Sequence, residues 1–221
     1  MRQKIPCLCE NAFEVDVPEE INLDTNKEYL EEIQKGNFFI FDCPSCGKKH
    51  KPEFPLFIHW PSKNLELEVL PELQRGDFYR KKKEETKGSN SKEKLSSETI
   101  ISYPEMADRL AVIQDGFEPA ALEAIKYILQ AKAEEQYPED EIDIWYYSCS
   151  SKGGIFATED FLEFHIHGIK ANEVAVTKVP YSLYQKILHD YTTNPKKEMF
   201  SDLRVYNYLS VKNAMRHEAL K

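Results

Sequence analysis

The sequence predicts an α+β protein in which a strand-rich N-terminal part precedes a part that mixes helices and strands. Three observations predict this class: apolar and charged residues alternate in the N-terminal part, a Lys- and Glu-rich stretch without periodicity follows it, and two apolar stripes at helical spacing come next. We therefore expect a β domain over residues 1–79, a charged flexible linker over 80–100, and an α+β domain over 101–221.

The N-terminal part contains several predicted strands and one helix. Residues 13–17 alternate between apolar and acidic side chains, as a half-buried strand requires. Residues 26–35 place three apolar side chains on one helical face, and Gly36 is well placed to end that helix. Residues 56–60 and 65–70 are two further predicted strands, separated by a short polar turn.

The stretch over residues 80–97 is basic, whereas the whole chain carries a net charge of −9. An acidic body repels nucleic-acid phosphates, so nucleic-acid binding would depend on the basic group Arg80–Lys83. No aromatic residue that could stack on a base occurs between Arg80 and Ser97. We favour a solvated linker and keep nucleic-acid binding through it as an alternative.

The part beyond the linker opens with two predicted helices. Ser102 and Glu105 have capping-box spacing at the start of the first, and Gly116 follows its end. Pro119 suits the first turn of the second helix, whose apolar positions over 122–129 form one stripe. Such a stripe predicts packing into a core.

Strands return after this helical pair, which predicts a mixed or antiparallel sheet. The predicted strands cover residues 142–147, 162–166 and 173–179, and Pro180 can open another amphipathic helix. The final segment, 200–221, is ambiguous because a strand-like composition gives way to a helix-like one.

The cysteines carry the clearest chemical signal. They stand at positions 7, 9, 43, 46 and 149, and an odd number without a secretory signal argues against a disulfide framework. In the second close pair, Cys43-Pro44-Ser45-Cys46-Gly47, proline favours a tight turn and glycine allows a positive φ. Backbone amides of such a turn point at the sulfurs of a bound metal.

Two cysteine turns that face each other would supply four soft thiolates in a tetrahedron, which suits Zn²⁺. We therefore predict a structural zinc site formed by Cys7, Cys9, Cys43 and Cys46 in a zinc-ribbon-like domain with a helix inserted between its halves. The first pair has one intervening residue, shorter than the usual spacing, so one of its sulfurs could be spare. His50 is then the nearest substitute ligand and His59 the next.

These residues resemble the CpXC family, a bacterial and archaeal family named for paired Cys-Pro-x-Cys motifs. The resemblance rests on Cys43-Pro44-Ser45-Cys46-Gly47 after an aromatic strand, on a cysteine pair near the N-terminus, and on residues 103–117 and 121–126. Residues 5–9, Ile-Pro-Cys-Leu-Cys, depart from the family motif. The resemblance implies a bound metal but no reaction.

A second group of candidate ligands lies on a predicted strand. Glu163, His165 and His167 alternate along it and would project from one face, where they could bind a catalytic metal. The polar outer face of an amphipathic strand explains them without any ligand, and we favour that interpretation because neither HExxH-type spacing nor a pattern of residues supporting the ligands accompanies them. Cys149 fits a packed thiol better than a nucleophile.

The sequence as a whole predicts a non-enzymatic zinc-binding protein whose metal is structural and whose surface engages another macromolecule, most simply a protein. An enzyme that uses Glu163, His165 and His167 is the alternative. No apolar run is long enough to cross a bilayer and the N-terminus lacks a signal-type apolar core, so we expect a soluble, cytoplasmic protein that does not bind membranes. The partner and the oligomeric state are left open.

Overall fold

The structure, a computed structural model, describes residues 1–88, 97–138, 141–150, 160–170 and 172–218. It divides into two compact units, Met1–Ala107 and Asp108–Lys221. Strands and helices are present in both units, so the predicted α+β class is confirmed.

The first unit contains two small hairpins, a larger sheet and two complete helices. Its elements in chain order are β1 (Arg2–Pro6), β2 (Ala12–Asp16), β3 (Glu20–Asn22), α1 (Lys27–Gln34), β4 (Phe41–Asp42), β5 (Lys49–His50), β6 (Leu56–Trp60), β7 (Leu65–Leu70), α2 (Arg75–Gly88) and β8 (Glu98–Ile101). Strands β1 and β2 form one antiparallel hairpin, and β4 and β5 form another. The larger sheet has the order β8-β7-β6-β3, with β6 and β7 antiparallel and the outer pairs parallel.

Alternation along β6 and β7 buries one face of this sheet. Ile58, Leu67 and Val69 are almost fully buried, and Ile100 of β8 joins them. A smaller cluster lies beneath the N-terminal hairpin and contains Ile5, Val17 and Phe54. The hairpins that carry the cysteines therefore rest on a minor core of their own.

Helix α1 and the strands β6 and β7 were predicted, whereas the aromatic strand expected before Cys43 is very short. Only Phe41 and Asp42 are in a strand. Phe39 has a φ of 51° and its ring stacks on that of Phe38, with the ring centroids 3.9 Å apart. A strand cannot continue through a residue in this left-handed conformation.

The segment predicted as a linker begins as a helix. Helix α2 continues to Gly88 although it has no apolar stripe, because Lys, Arg and Glu are good helix formers and Asp77 pairs with Arg80 one turn later. Strand β8 begins inside the C-terminal end of the predicted linker range, and residues 89–96 lie outside the described residues. The predicted ranges 1–79, 80–100 and 101–221 stay a prediction.

Helix α3 (Tyr103–Gln114) contains the division between the units. Half of its predicted capping box is present, since the Glu105 amide donates to the Ser102 hydroxyl at 3.4 Å. The Glu105 carboxylate instead accepts a hydrogen bond from Arg75 at 2.7 Å, and the Ser102 amide donates to the Leu70 carbonyl.

The second unit packs helices on a three-stranded antiparallel sheet of order β11-β10-β9. After α3 its elements are α4 (Pro119–Gln136), β9 (Asp143–Cys149), β10 (Phe161–Lys170), β11 (Glu173–Pro180), α5 (Tyr181–Thr193), α6 (Glu198–Asp202), β12 (Arg204–Val205), β13 (Tyr208–Leu209) and α7 (Val211–Glu218). Leu122 and Ile125 of α4 and Leu162 and Phe164 of β10 lie in one core. The described part of the ambiguous C-terminal segment thus contains the end of a short helix, a hairpin and a final helix.

None of the helices in the described residues has the length and apolarity that crossing a membrane would require.

Candidate metal centre

Two tight turns place the four paired cysteines. The first turn joins β1 to β2, and in it the Cys7 amide donates to the Asn11 carbonyl at 2.8 Å while the Glu10 amide donates to the Cys7 carbonyl at 3.0 Å. Glu10 takes a positive φ of 67° to make this turn. Because the chain reverses within a few residues, Cys7 and Cys9 lie at the tip of the hairpin.

The second turn joins β4 to β5 and has a similar pair of backbone hydrogen bonds that encloses one more residue. The Cys43 amide donates to the Lys48 carbonyl at 2.9 Å, and the Gly47 amide donates to the Cys43 carbonyl at 2.8 Å. Gly47 has a φ of 70°, the conformation that the sequence motif predicted for it. Cys43 and Cys46 are therefore held at the tip of a second hairpin.

The two turns bring all four sulfurs together. Cys7 Sγ lies 3.6 Å from Cys46 Sγ, and Cys9 Sγ lies 3.7 Å from Cys43 Sγ. All four sulfurs lie within 4.8 Å of one another, and none is in a disulfide. This group could hold a metal ion, and it fits the zinc-ribbon-like region expected from the sequence.

The four cysteines differ in exposure. Cys7 and Cys43 are buried, with exposed fractions of 9% and 2%, whereas Cys9 and Cys46 are exposed. An ion at the centre of the group would thus be covered on one side by protein and bounded on the other by sulfurs that contact solvent.

Hydrogen bonds prepare some of these sulfurs for the thiolate form. Removal from water would raise the pKa of Cys43, but donors from the Cys46 and Ser45 amides and from Asn11 lower it to about 6. The Asn11 amide nitrogen lies 3.8 Å from Cys43 Sγ. The Asn11 backbone lowers the pKa of Cys9 as well.

The pKa of Cys46 shifts in the opposite direction to that of Cys43. The Lys48 amide lowers its pKa, but the sulfurs of Cys9 and Cys7, followed by burial, outweigh this and raise the pKa to about 12. Four thiolates this close would repel one another, which disfavours the charged form of Cys46 when no cation is bound.

The histidines considered as substitute ligands lie outside this group in the described structure. His50 contacts the edge of the Phe13 ring, with centroids 5.8 Å apart, and its Nε2 is a buried nitrogen without a hydrogen-bond partner among the described residues. His59 hydrogen-bonds to Glu66 through Nδ1 and lies 3.9 Å from Glu20 through Nε2. The arrangement therefore needs neither histidine to reach four donors.

The second group of candidate ligands lies on the outer face of the β9–β11 sheet. His165 stacks on Tyr147 with ring centroids 4.0 Å apart, and its Nε2 lies 3.5 Å from the Glu163 carboxylate. His167 is exposed farther along the strand. Among the described residues these three side chains do not form a group close enough to share a metal ion.

Cys149 lies at the end of β9 and is partly buried against the core of the second unit. Burial of the phenol raises the pKa of the neighbouring Tyr181, and Coulombic interaction with Cys149 raises it further. The predicted role of a packed thiol matches this position.

A buried charge network lies in the second unit, and it was not predicted from the sequence. Lys126 donates to Asp108 and, at 2.8 Å, to Glu123, whereas Arg109 lies 3.6 Å from Glu123 and donates to the Leu209 carbonyl at 2.9 Å. The side chains of the four charged residues are at most 7% exposed. The sequence feature that could have indicated the network is the i,i+3 pair of Glu123 and Lys126, which interrupts an otherwise apolar helical run.

Backbone groups complete this network. The second oxygen of Asp108 accepts from the Tyr146 amide at 2.6 Å, and that of Glu123 accepts from the Val211 amide at 2.7 Å. Two acids and two bases thus bind helices α3 and α4 to β9 and to the start of α7.

Fold and site together define an α+β protein whose zinc-ribbon-like region gathers four cysteines able to hold a metal ion. The chain belongs to the CpXC family: the family model described as "CpXC protein" matches residues 5–126, more than half of the chain, including all four of these cysteines. The sequence-based resemblance is therefore confirmed.

A relative from Treponema pallidum (strain Nichols), described as an uncharacterized protein, is 26% identical over 218 residues. The alignment covers 95% of this chain and 97% of the relative. No solved structure matches the chain.

Proposed function

We propose that this CpXC protein is a non-enzymatic zinc-binding protein in which Cys7, Cys9, Cys43 and Cys46 hold a structural Zn²⁺. The observation that supports this proposal is the convergence of four sulfurs from two hairpin turns. In a tetrahedral site with Zn–S bonds of about 2.3 Å, neighbouring sulfurs are about 3.8 Å apart. The sulfur pairs here, at 3.6 and 3.7 Å, already have nearly this spacing.

A structural rather than a catalytic role follows from the ligand set. Four thiolates fill a tetrahedral coordination shell, so no position is left for a substrate or a water. The chain around the site consists of two short hairpins over a small cluster of apolar residues. Because two-stranded hairpins have little stability of their own, a structural zinc that contributes about 10–16 kcal/mol of apparent binding energy would hold them together.

We further propose that the metal-fixed turns engage another protein. Leu8, between Cys7 and Cys9, is 85% exposed, so a large apolar side chain stands on a turn that the metal would make rigid. The net charge of −9 opposes binding to nucleic-acid phosphates. A rigid apolar projection on an acidic protein is better suited to a pocket on a protein partner.

Metal analysis of purified full-length protein tests the first proposal. We expect zinc in the wild-type protein and its loss in Cys43→Ser and Cys46→Ser. Cys149→Ser is the matched control, because it removes a thiol from the other unit and should retain all the zinc. Undiminished zinc in both Cys43→Ser and Cys46→Ser would refute the assignment.

Crosslinking in cells with Leu8→Ser and Leu73→Ser tests the second proposal. Leu73 is 96% exposed but lies far along the chain from the cysteine turns, so its replacement controls for the general loss of a surface leucine. We expect the protein crosslinked to wild type to be lost with Leu8→Ser only. Its retention by Leu8→Ser, or its release by nuclease treatment, would contradict a protein partner at this turn.

A further inference from the structure

Two short sulfur–sulfur contacts run from one cysteine hairpin to the other. Cys7 Sγ contacts Cys46 Sγ at 3.6 Å, and Cys9 Sγ contacts Cys43 Sγ at 3.7 Å. Each contact therefore joins the turn between β1 and β2 to the turn between β4 and β5. A metal ion needs four sulfurs around one point, but it does not need this pairing.

Each contact also joins a buried cysteine to an exposed one. Cys7 and Cys43 are buried, whereas their respective partners, Cys46 and Cys9, are exposed. An oxidant in solution can therefore approach one member of each pair while protein shields the other. Reactive cysteines need such access, and a second cysteine beside them converts the oxidised sulfur into a disulfide.

The paired sulfurs are close enough to form disulfides after a small movement. A disulfide bond is about 2.05 Å long, so the sulfurs of each pair would have to approach by about 1.6 Å. Residues 8–10 and 44–49, which surround Cys9 and Cys46, are exposed. Little packing therefore opposes a rotation of these two side chains.

We propose that peroxide oxidises this cluster to two disulfides, Cys7–Cys46 and Cys9–Cys43, and so releases the zinc ion. The cluster is then a site of reversible oxidative modification as well as a metal site. The release of the ion rests on the zinc assignment proposed above, whereas the pairing of the sulfurs does not.

Each disulfide forms in two steps. The exposed thiolate attacks one oxygen of hydrogen peroxide, the O–O bond breaks, and the sulfur becomes a sulfenic acid while hydroxide leaves. The buried thiolate then attacks that sulfur, the S–O bond breaks, and a second hydroxide leaves as the S–S bond forms. One peroxide molecule is thus reduced for each pair of thiolates oxidised. Because metal binding needs thiolates, oxidation of both pairs releases the ion.

The reduced and oxidised clusters differ in charge, but both connect the hairpins. A zinc ion with four thiolates carries two negative charges, whereas two disulfides without the ion carry none. The disulfides replace the ion as the connection between residues 1–17 and 41–50. The turn that carries Leu8 would therefore lose negative charge under oxidising conditions without separating from the other turn.

The test is treatment of zinc-loaded full-length protein with hydrogen peroxide, followed by zinc measurement and by a peptide map made without reduction. Cleavage after Lys27 leaves the two cysteine pairs on separate peptides, so a linked peptide reports a bond between the hairpins. We expect loss of zinc together with linked peptides whose fragmentation gives the proposed pairing. Dithiothreitol and added zinc should restore the metal content.

Several outcomes would refute the proposal: bonds within either hairpin, the other pairing between them, sulfinic or sulfonic acids without linked peptides, or zinc retained throughout. Cys149→Ser is the control, because that thiol belongs to the other unit, and it should release zinc at the wild-type rate. Zinc content before peroxide separates the two proposals. Protein that holds no zinc would contradict the metal assignment, but its linked peptides would still decide the pairing.

Amide hydrogen exchange distinguishes this modification from oxidative damage. In residues 1–17 and 41–50 the oxidised protein should exchange more slowly than metal-free reduced protein, because the disulfides restrain the opening of the hairpins. Equal exchange in the two samples would mean that the bonds do not connect the hairpins, and would contradict the proposal.

Discussion

The sulfur of Cys9 lies 3.7 Å from the sulfur of Cys43, although 34 positions separate the two residues in the sequence. Each belongs to a turn whose strands form only a two-stranded hairpin. Isolated hairpins are at best marginally stable in water, so an ion that joins these sulfurs would determine whether the turns stay together.

Removal of the metal should therefore loosen one part of the chain more than the rest. After chelation of zinc from the purified protein, we expect faster amide hydrogen exchange in residues 1–17 and 41–50. Residues 56–60 and 65–70 should stay protected, because Ile58, Leu67 and Val69 pack in a core that does not depend on the sulfurs. Exchange that increases equally in both regions would contradict a local role for the metal.

The first cysteine pair decides whether four sulfurs bind the ion. Cys9→Ser should lose zinc, because Cys9 Sγ is within 4.8 Å of the other three sulfurs. His50→Ala should keep its full zinc content, because the histidine lies outside this group. Zinc content measured side by side checks both variants, and a loss of zinc in His50→Ala would return the histidine to the ligand set.

Much of this site could be predicted from the sequence, because short-range turn chemistry determines it. Proline and glycine in Cys43-Pro44-Ser45-Cys46-Gly47 predict a tight turn, and the structure has it with Gly47 at positive φ. The short spacing of Cys7 and Cys9 left one sulfur in doubt. In the structure Glu10 takes the left-handed conformation that Gly47 takes in the second turn, and both sulfurs of the first pair lie in the group. The sequence did not indicate that a glutamate would take this conformation.

The long amphipathic elements were predicted for a similar reason. Helix α4 and strands β6 and β7 carry clear periodicity, which burial against a core requires. Helix α2 was missed because its charged residues carry no apolar stripe. The charge network was missed because Asp108, Glu123 and Lys126 resemble solvent-exposed residues until the fold brings them together.

Asn11 should tune the metal affinity without binding the ion. Its side-chain amide reaches the Cys43 sulfur at 3.8 Å and stabilises the thiolate. Asn11→Ala should weaken zinc binding about 10–100-fold, the usual effect of losing a group that supports a ligand. Competition with a chromophoric chelator measures this change. Asn37→Ala, at an exposed position, is the control, and an equal loss there would remove the argument for Asn11.

Lys126 should be essential to the stability of the second unit. Its ammonium faces both Asp108 and Glu123 in the core, so Lys126→Met would leave two buried carboxylates without their shared cation. Breaking a buried ion pair in this way costs about 3–5 kcal/mol, and urea denaturation measures the loss. Lys132→Met, exposed on the same helix, should change the free energy of unfolding by less than about 0.5 kcal/mol. Similar effects of the two variants would show that the network contributes little.

Acid should reduce the contribution of Glu123 to the free energy of unfolding. Burial alone would raise the pKa of Glu123, but Lys126 and Arg109 outweigh it and lower the pKa below the ordinary value of 4.5. Between that lowered value and 4.5 the unfolded chain binds more protons at this carboxyl, so the stability that Glu123 contributes is complete above 4.5 and is lost as the pH falls. Asp108 acts in the opposite sense, because burial raises its pKa despite Lys126.

The variant Glu123→Gln separates these two opposing effects. Its free energy of unfolding should lie below that of the wild type by a constant amount from neutral pH down to 4.5, and the gap should shrink at lower pH. Urea denaturation at a series of pH values measures the gap. Glu135→Gln, exposed on the same helix, should follow the wild type throughout. A gap that widens in acid would mean that Lys126 and Arg109 do not stabilise the charged form of Glu123.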